Sequence, residues 1–299
     1  MGSFTRATGG AGAVILTGGI LALASATASM ADRARVVKVP CSAPALAAAI
    51  TAANTPTGTV LRLTAGCTYS IATPATAATA LPAITGNVTL IGGPRTAIRR
   101  DPAATTVFRI LDVAAGGTLR VTGISILNGS TAGLGGGIQN AGTVVLRHVT
   151  LSGNRAGNGG GLANIAGATA TVSRGLINAN TTTGVGGGGI INSGTLTVFG
   201  TVLAANTAPI NGGGVNTQAS GTTQLIQSTV AHNTSGSLGG GVSNLGTTSM
   251  DRSLVRANRG SAGGGIASSN TKVTLRSSIA RNNIPDNCHP LNTIPGCAG

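Results

Sequence analysis

A triple glycine followed by an aliphatic residue recurs at Gly135–Ile138, Gly159–Leu162, Gly187–Ile190, Gly212–Val215, Gly239–Val242 and Gly263–Ile266, at intervals of 24, 28, 25, 27 and 24 residues. Two further marks keep step with it. An aliphatic residue stands three positions before Asn at Leu151/Asn154, Ile177/Asn180, Leu203/Asn206, Val230/Asn233, Val255/Asn258 and Ile279/Asn282. A Thr opens each apolar-alternating stretch, at Thr143, Thr169, Thr195, Thr222, Thr247 and Thr271. Three marks held in register describe a chain that returns to the same place every 24 to 28 residues, a solenoid whose coils stack at a strand spacing of about 4.8 Å. The glycines suit turns needing positive φ or places where coils approach too closely for a Cβ. The asparagines Asn154, Asn180, Asn206, Asn233, Asn258 and Asn282 are expected to form one column that passes amide hydrogen bonds from coil to coil. Leu146, Val172, Val198, Leu225 and Met250 are expected to form an interior apolar column.

Composition removes the rivals. The chain contains five Asp and no Glu, and its 49 glycines follow no three-residue period, which disfavours a helical protein and excludes collagen. At 41% hydrophobic and 8% charged residues it carries too much apolar surface to stay disordered. A leucine-rich repeat fits Leu146 to Asn154 formally. The other copies place Gly175, Thr201, Ser228 and Ser253 where that pattern needs its second Leu, and they have no helical outer half. The fold expected is all-β: a single-stranded parallel β-helix.

The ends differ from the body. Residues 1–31 have the order of a secretory signal peptide: Arg6, an apolar small-residue run from Ala11 to Ala24, then small-residue cleavage sites ending at Ala31. No later stretch is long and apolar enough to span a bilayer, so a secreted, extracellular product is expected. Residues 32–86 read as an N-terminal cap and first strands, 87–283 as the β-helix, and 284–299 as a disulfide-stapled tail. Four cysteines in an exported chain read as disulfides. Of three possible pairings, Cys41 with Cys67 and Cys288 with Cys297 are preferred, because each staples one end. His289 beside Cys288 offers too few ligands for zinc, and neither a metal nor a cofactor is expected.

The pairing of GGG-[ILV] with aliphatic-x-x-N resembles the repeat of right-handed parallel β-helix proteins similar to chlamydial polymorphic outer-membrane proteins, which pair GG-[AI] with FxxN. The resemblance covers roughly Gly116 to Asn283, and it implies a right-handed helix and, weakly, adhesion. The segment Val39 to Ile71, with Cys41, then Leu46, Ala49, Ile50 and Ala53 at helical spacing, then Gly66-Cys67-Thr68-Tyr69, resembles the N-terminal region of exported actinobacterial-type β-helix proteins. It reads as a short capping helix and strand over the first coil. Two departures matter. Aliphatics replace the family's Phe, and no translocator barrel follows, so the family's membrane anchorage does not carry over.

Parallel β-helices include polysaccharide lyases and glycosidases. Paired-carboxylate hydrolysis is disfavoured because no Asp or Glu lies between Asp112 and Asp251, and calcium-assisted lysis wants a carboxylate cluster that is not there. A metal-free lyase stays open, with His148, Arg174 and Arg252, which share one aligned position, as its candidate catalytic residues. The formal net charge of +14 suits anionic polymers. Arg174, Arg252, Arg256 and Arg276 are the candidate binding residues. The chain lacks stacking platforms for nucleic acid, so acidic glycans or cell-wall polymers are the expected partners. The function expected is a non-enzymatic, secreted solenoid that binds or coats an extracellular surface, with the metal-free lyase as alternative.

Overall fold

Each of the six repeat coils begins with a triple-glycine turn and crosses three faces in turn, as Ile190–Asn192, Thr195–Phe199 and Val202–Ala204 do in the middle of the chain. A short fourth segment, Thr207–Ala208, returns the chain to the next glycine turn. The computed structural model describes residues 35–291 and 293–297. All the sheets are parallel: one of ten strands, one of nine, one of eight and a ribbon of four. The protein is a parallel β-solenoid of about ten coils. The expected signal peptide lies outside the described residues. Among the described residues no helix is long and apolar enough to cross a membrane.

The register is unbroken through the repeats. Leu146, Val172, Val198, Leu225 and Met250 are direct neighbours on successive strands, all buried, and form the apolar column of the ten-stranded sheet. Leu151, Ile177, Leu203, Val230 and Val255 supply the wall of the nine-stranded sheet. Ile138, Leu162, Ile190, Val215, Val242 and Ile266 supply that of the eight-stranded one. Burying one such aliphatic side chain contributes about 1.5–3 kcal/mol, so each coil adds three such increments to a core continuous with its neighbours. At Gly188 a Cβ would lie 2.5 Å from the Gly213 carbonyl oxygen and 2.6 Å from that of Thr207, so backbone fills the space a side chain would need.

The Asn column forms as expected, and its geometry explains why Asn is used. Asn180 Nδ2 donates forward to Asn206 Oδ1 at 2.9 Å and back to the Leu151 carbonyl at 2.9 Å, while its Oδ1 accepts from Asn154 N and Nδ2 at 3.0 Å each. Every polar hydrogen and lone-pair direction of the amide is thereby used inside the wall, which offsets its desolvation. The last rung corrects the sequence reading. Asn258 bonds Asn283, not Asn282, at 2.9 Å from its backbone N and 3.0 Å from Nδ2. Val255 pairs with Ala280, and Asn282 is exposed with φ of 55°, the corner conformation. The final coil carries one more residue after its glycines than the coil before it, which also moves Thr271 out of the threonine column and leaves Lys272 beside Thr247.

Both ends are closed. The helix Ala43–Ala53 buries Leu46, Ile50 and Ala53 over the first coil. Asn54 ties its end to the chain ahead, donating to the Ala83 carbonyl at 2.8 Å and accepting from Thr85 N at 3.0 Å. The parallel ladder starts upstream of the expected Asn87. Arg35–Val39 pairs with Thr59–Leu63, and that strand pairs with Asn87–Ile91. Those first coils have no triple glycine, and the eight-stranded sheet begins only at Leu111–Val113. Ahead of it, the buried side chains of Leu81 and Ile84 stand in as the third wall. Cys41 is bonded to Cys67 and Cys288 to Cys297, and the tail between the second pair buries Ile294 against the core. The disulfides fit an oxidising, extracellular-type compartment.

Candidate functional site

The turn from the ten-stranded to the nine-stranded sheet is made by a single residue in left-handed conformation: His148, Arg174, Gly200, Gln227, Arg252 and Ser277, with φ of 51°, 51°, 55°, 49°, 48° and 46°. A non-glycine residue there costs about 1–2 kcal/mol. Cross-coil backbone bonds hold the turn, such as His148 N to Ser173 O at 3.0 Å and Arg174 N to Phe199 O at 2.9 Å. The shared position inferred for His148, Arg174 and Arg252 is therefore a sharp outer corner, and all three side chains are exposed.

The corner brings only two of these three together. His148 and Arg174 occupy adjacent coils and line a cleft of about 210 Å³ with Arg147, Ser173 and Phe199. Arg252 stands three coils further on, about 14 Å away at the usual strand spacing. It pairs instead with Asp251 at 2.8 Å. Arg147 and Phe199 escape a reading based on the aligned corner because they sit one residue before it, at the end of the preceding strand.

The last two coils gather a second group. Arg256 and Arg281 are direct register neighbours on the outer face of the nine-stranded sheet, and Arg276 is the register neighbour of Asp251. Arg252 lies at the corner of the same coil as Arg256. Between these cations the sheet presents Leu254 beside Ile279, the latter 59% exposed. His232 contacts Arg256 through Nε2 at 3.3 Å, a geometry in which a neutral imidazole accepts. Three of the four expected binding residues, Arg252, Arg256 and Arg276, thus share one patch with Arg281, and Arg174 stands apart from it.

Of the four acids in the described residues, two have displaced pKa values. Asp101 is held below the usual carboxylate range by the Ala103 backbone N–H and by Ser70, whose hydroxyl donates at 2.7 Å. Desolvation pushes Asp112 up, against the pull of Arg109 at 3.7 Å. Neither faces the corner cleft.

A second internal ladder was not anticipated. Asn140 Nδ2 donates to Asn164 Oδ1 at 2.7 Å, and Asn164 Nδ2 to Asn192 Oδ1 at 2.8 Å. Thr217 and Thr223 continue it, with their hydroxyls 2.8 Å apart. The signal is an Asn two residues after the aliphatic that ends each glycine run, at Asn140, Asn164, Asn192 and Asn244. This ladder is buried and belongs to the scaffold.

Comparison with known families, with curated proteins and with solved structures finds no match to this chain. The likeness to chlamydial-type repeats rests on the repeat marks alone.

Proposed function

We propose that this protein is an exported, non-catalytic solenoid that binds or coats an extracellular surface by attaching to acidic polysaccharide or cell-wall polymer. The observation that carries the reading is the patch of Arg252, Arg256, Arg276 and Arg281 around Leu254 and Ile279 in the last two coils, with Asp251 as its acidic neighbour. Guanidinium groups match carboxylate and sulfate in bidentate fashion, and the aliphatic strip suits the apolar face of a sugar ring. The described residues hold 17 cationic side chains against four acidic ones, Asp101, Asp112, Asp251 and Asp286. That imbalance supports attraction to anionic polymers over a broad surface. The test is retention on immobilised acidic and neutral polysaccharides. Wild type should be retained on the acidic polymers alone, and the triple variant R252A/R256A/R281A should elute early while keeping its fold. Equal retention on neutral polymers would refute the reading.

The cleft at His148 and Arg174 favours one second reading, a metal-free polysaccharide lyase. There the guanidinium of Arg174 would neutralise a uronate carboxylate while His148 takes the proton α to it; the glycosidic C–O bond then breaks, the departing oxygen takes a proton from water, and an unsaturated sugar remains. Unsaturated product released by wild type and lost in H148A would establish this reading in place of the first.

A further inference from the structure

We propose that the edge between the ten-stranded and nine-stranded sheets is a track on which a linear acidic polysaccharide lies along the solenoid axis, held at three cationic stations four coils apart. The proposal rests on the acidic-glycan reading above and adds the ligand's direction and minimum length. One outward column of the ten-stranded sheet runs unbroken through all ten coils beside this edge. It consists of Lys38, Arg62, Ile91, Thr122, Arg147, Ser173, Phe199, Ile226, Asp251 and Arg276. Together with the corner residues that follow the strands, its cations fall in coils one to three (Lys38, Arg62 and, at the corner, Arg95), five and six (Arg147, Arg174), and nine and ten (Arg252, Arg276).

The intervals between stations are uncharged in this column: Ile91 and the hydroxyl of Thr122 in the first, Phe199 and Ile226 in the second. Glycine stands at the adjoining corner in Gly123 and Gly200, which keeps the relief low. Arg95, on the longer corner loop of the third coil, adds charge near the first station. Like charges directly opposite on neighbouring strands, as Lys38 and Arg62 are, repel one another, and a polyanion would relieve that repulsion. Two clefts lie on the edge. One, of about 310 Å³, runs from Lys38 and Arg62 to Gly92 and Gly93. The other runs from Arg147 and Arg174 to Phe199. Each starts at a cationic station and opens toward the next coil. Asp251 lowers the net charge of the third station by one.

Four strand spacings put the stations about 19 Å apart, and the whole track spans about 43 Å. Alternating charge with isolated apolar contacts fits sugar rings bearing carboxylates or sulfates. Single-stranded nucleic acid would call for successive stacking platforms, of which the edge offers Phe199 alone. A chain that reaches a second and then a third station converts each further contact into an intramolecular one, so affinity should rise in steps with length.

The experiment measures Kd at low salt for uronate oligomers with extended lengths of about 15, 25 and 45 Å, chosen against that station spacing. A matched sulfated series and single-stranded DNA of equal length run alongside. Affinity should tighten about tenfold or more from the first length to the second and again from the second to the third. The double variant K38Q/R62Q, at two exposed positions, should return the longest oligomer to the affinity of the intermediate one and leave the shortest within twofold. A shared step pattern in the uronate and sulfated series assigns the track to anionic sugars generally, and a pattern in one series alone identifies the anion. Binding without steps, or a longest oligomer indifferent to K38Q/R62Q, overturns the track but leaves the basic-surface reading standing. Absence of binding at every length overturns both, and tenfold tighter binding of DNA overturns the glycan assignment.

Discussion

Replacing Asn206 by Ala removes one link from the middle of the buried Asn column, and the structure fixes what is lost. The Oδ1 of Asn206 accepts from Asn180 N at 3.0 Å and Asn180 Nδ2 at 2.9 Å, and its Nδ2 donates to Ile177 O and Asn233 Oδ1 at 2.9 Å each. In Asn206→Ala both Asn180 donors stay buried without their protein acceptor. At roughly 1–3 kcal/mol per stranded group, the two donors alone predict a loss of about 2–6 kcal/mol. Asn206→Asp keeps the acceptor but sets a second lone-pair oxygen against Ile177 O and Asn233 Oδ1 and buries a charge, so it should cost at least as much at neutral pH. The comparator is Thr207→Ala, one residue on and exposed, expected within about 0.5 kcal/mol of wild type. Urea unfolding gives the difference as a shift of midpoint at constant slope. A loss below about 1 kcal/mol for Asn206→Ala would refute the argument that these amides hold adjacent coils together.

Gly188→Ala should destabilise more than Gly167→Ala in the same assay. The first places a Cβ against backbone at 2.5 Å, whereas the second has open space and bears only the left-handed strain of φ 78°, about 1–2 kcal/mol. In an NMR titration Asp101 should ionise below the usual carboxylate range and Asp112 above it. Asp101, depressed in the folded state, contributes stability that is present above its unfolded pKa and lost as pH falls through the folded one. Asp112, raised in the folded state, has the opposite sign, and its contribution fades as pH rises through its folded pKa. Identical titration midpoints would contradict both assignments. Replacing Cys288 and Cys297 with Ser should speed amide exchange in Val273–Arg276 and Ile279–Arg281 while leaving Thr195–Phe199 protected, because solenoid coils are stabilised by their neighbours. Uniform loss of protection would count against a purely local staple.

The repeat marks were legible because each reports a steric or hydrogen-bonding demand that the six repeat coils meet alike. Triple glycine marks backbone contact, and Asn marks a wall position that must both give and accept. The slip at Asn282 shows where this reading ends. Two adjacent asparagines satisfy the pattern equally, and only the extra residue in the last turn decides that Asn283 faces inward. The corner was visible as an aligned position but not as a left-handed turn, since His148, Arg174, Gln227 and Arg252 are not residues that announce positive φ. The first two coils were hidden for another reason. Lys38 and Arg62 belong to coils without triple glycine, so their place beside Arg147 and Arg276 emerges only from strand register. Clustering across coils is likewise invisible along the chain: Arg174 and Arg252 match in sequence position yet stand three coils apart, while Arg256 and Arg281 are neighbours.

The central claim, attachment to acidic polymers through exposed cations without turnover, is tested most directly by the salt dependence of binding to a soluble uronate polymer, with product monitored in the same samples. Screening acts on exposed charges over about 8–10 Å near physiological ionic strength and over longer distances in dilute salt. The account predicts affinity that falls steeply and continuously from low to high salt, with the polymer recovered at its original length. Binding indifferent to salt, or a steady release of unsaturated oligosaccharide, would contradict it.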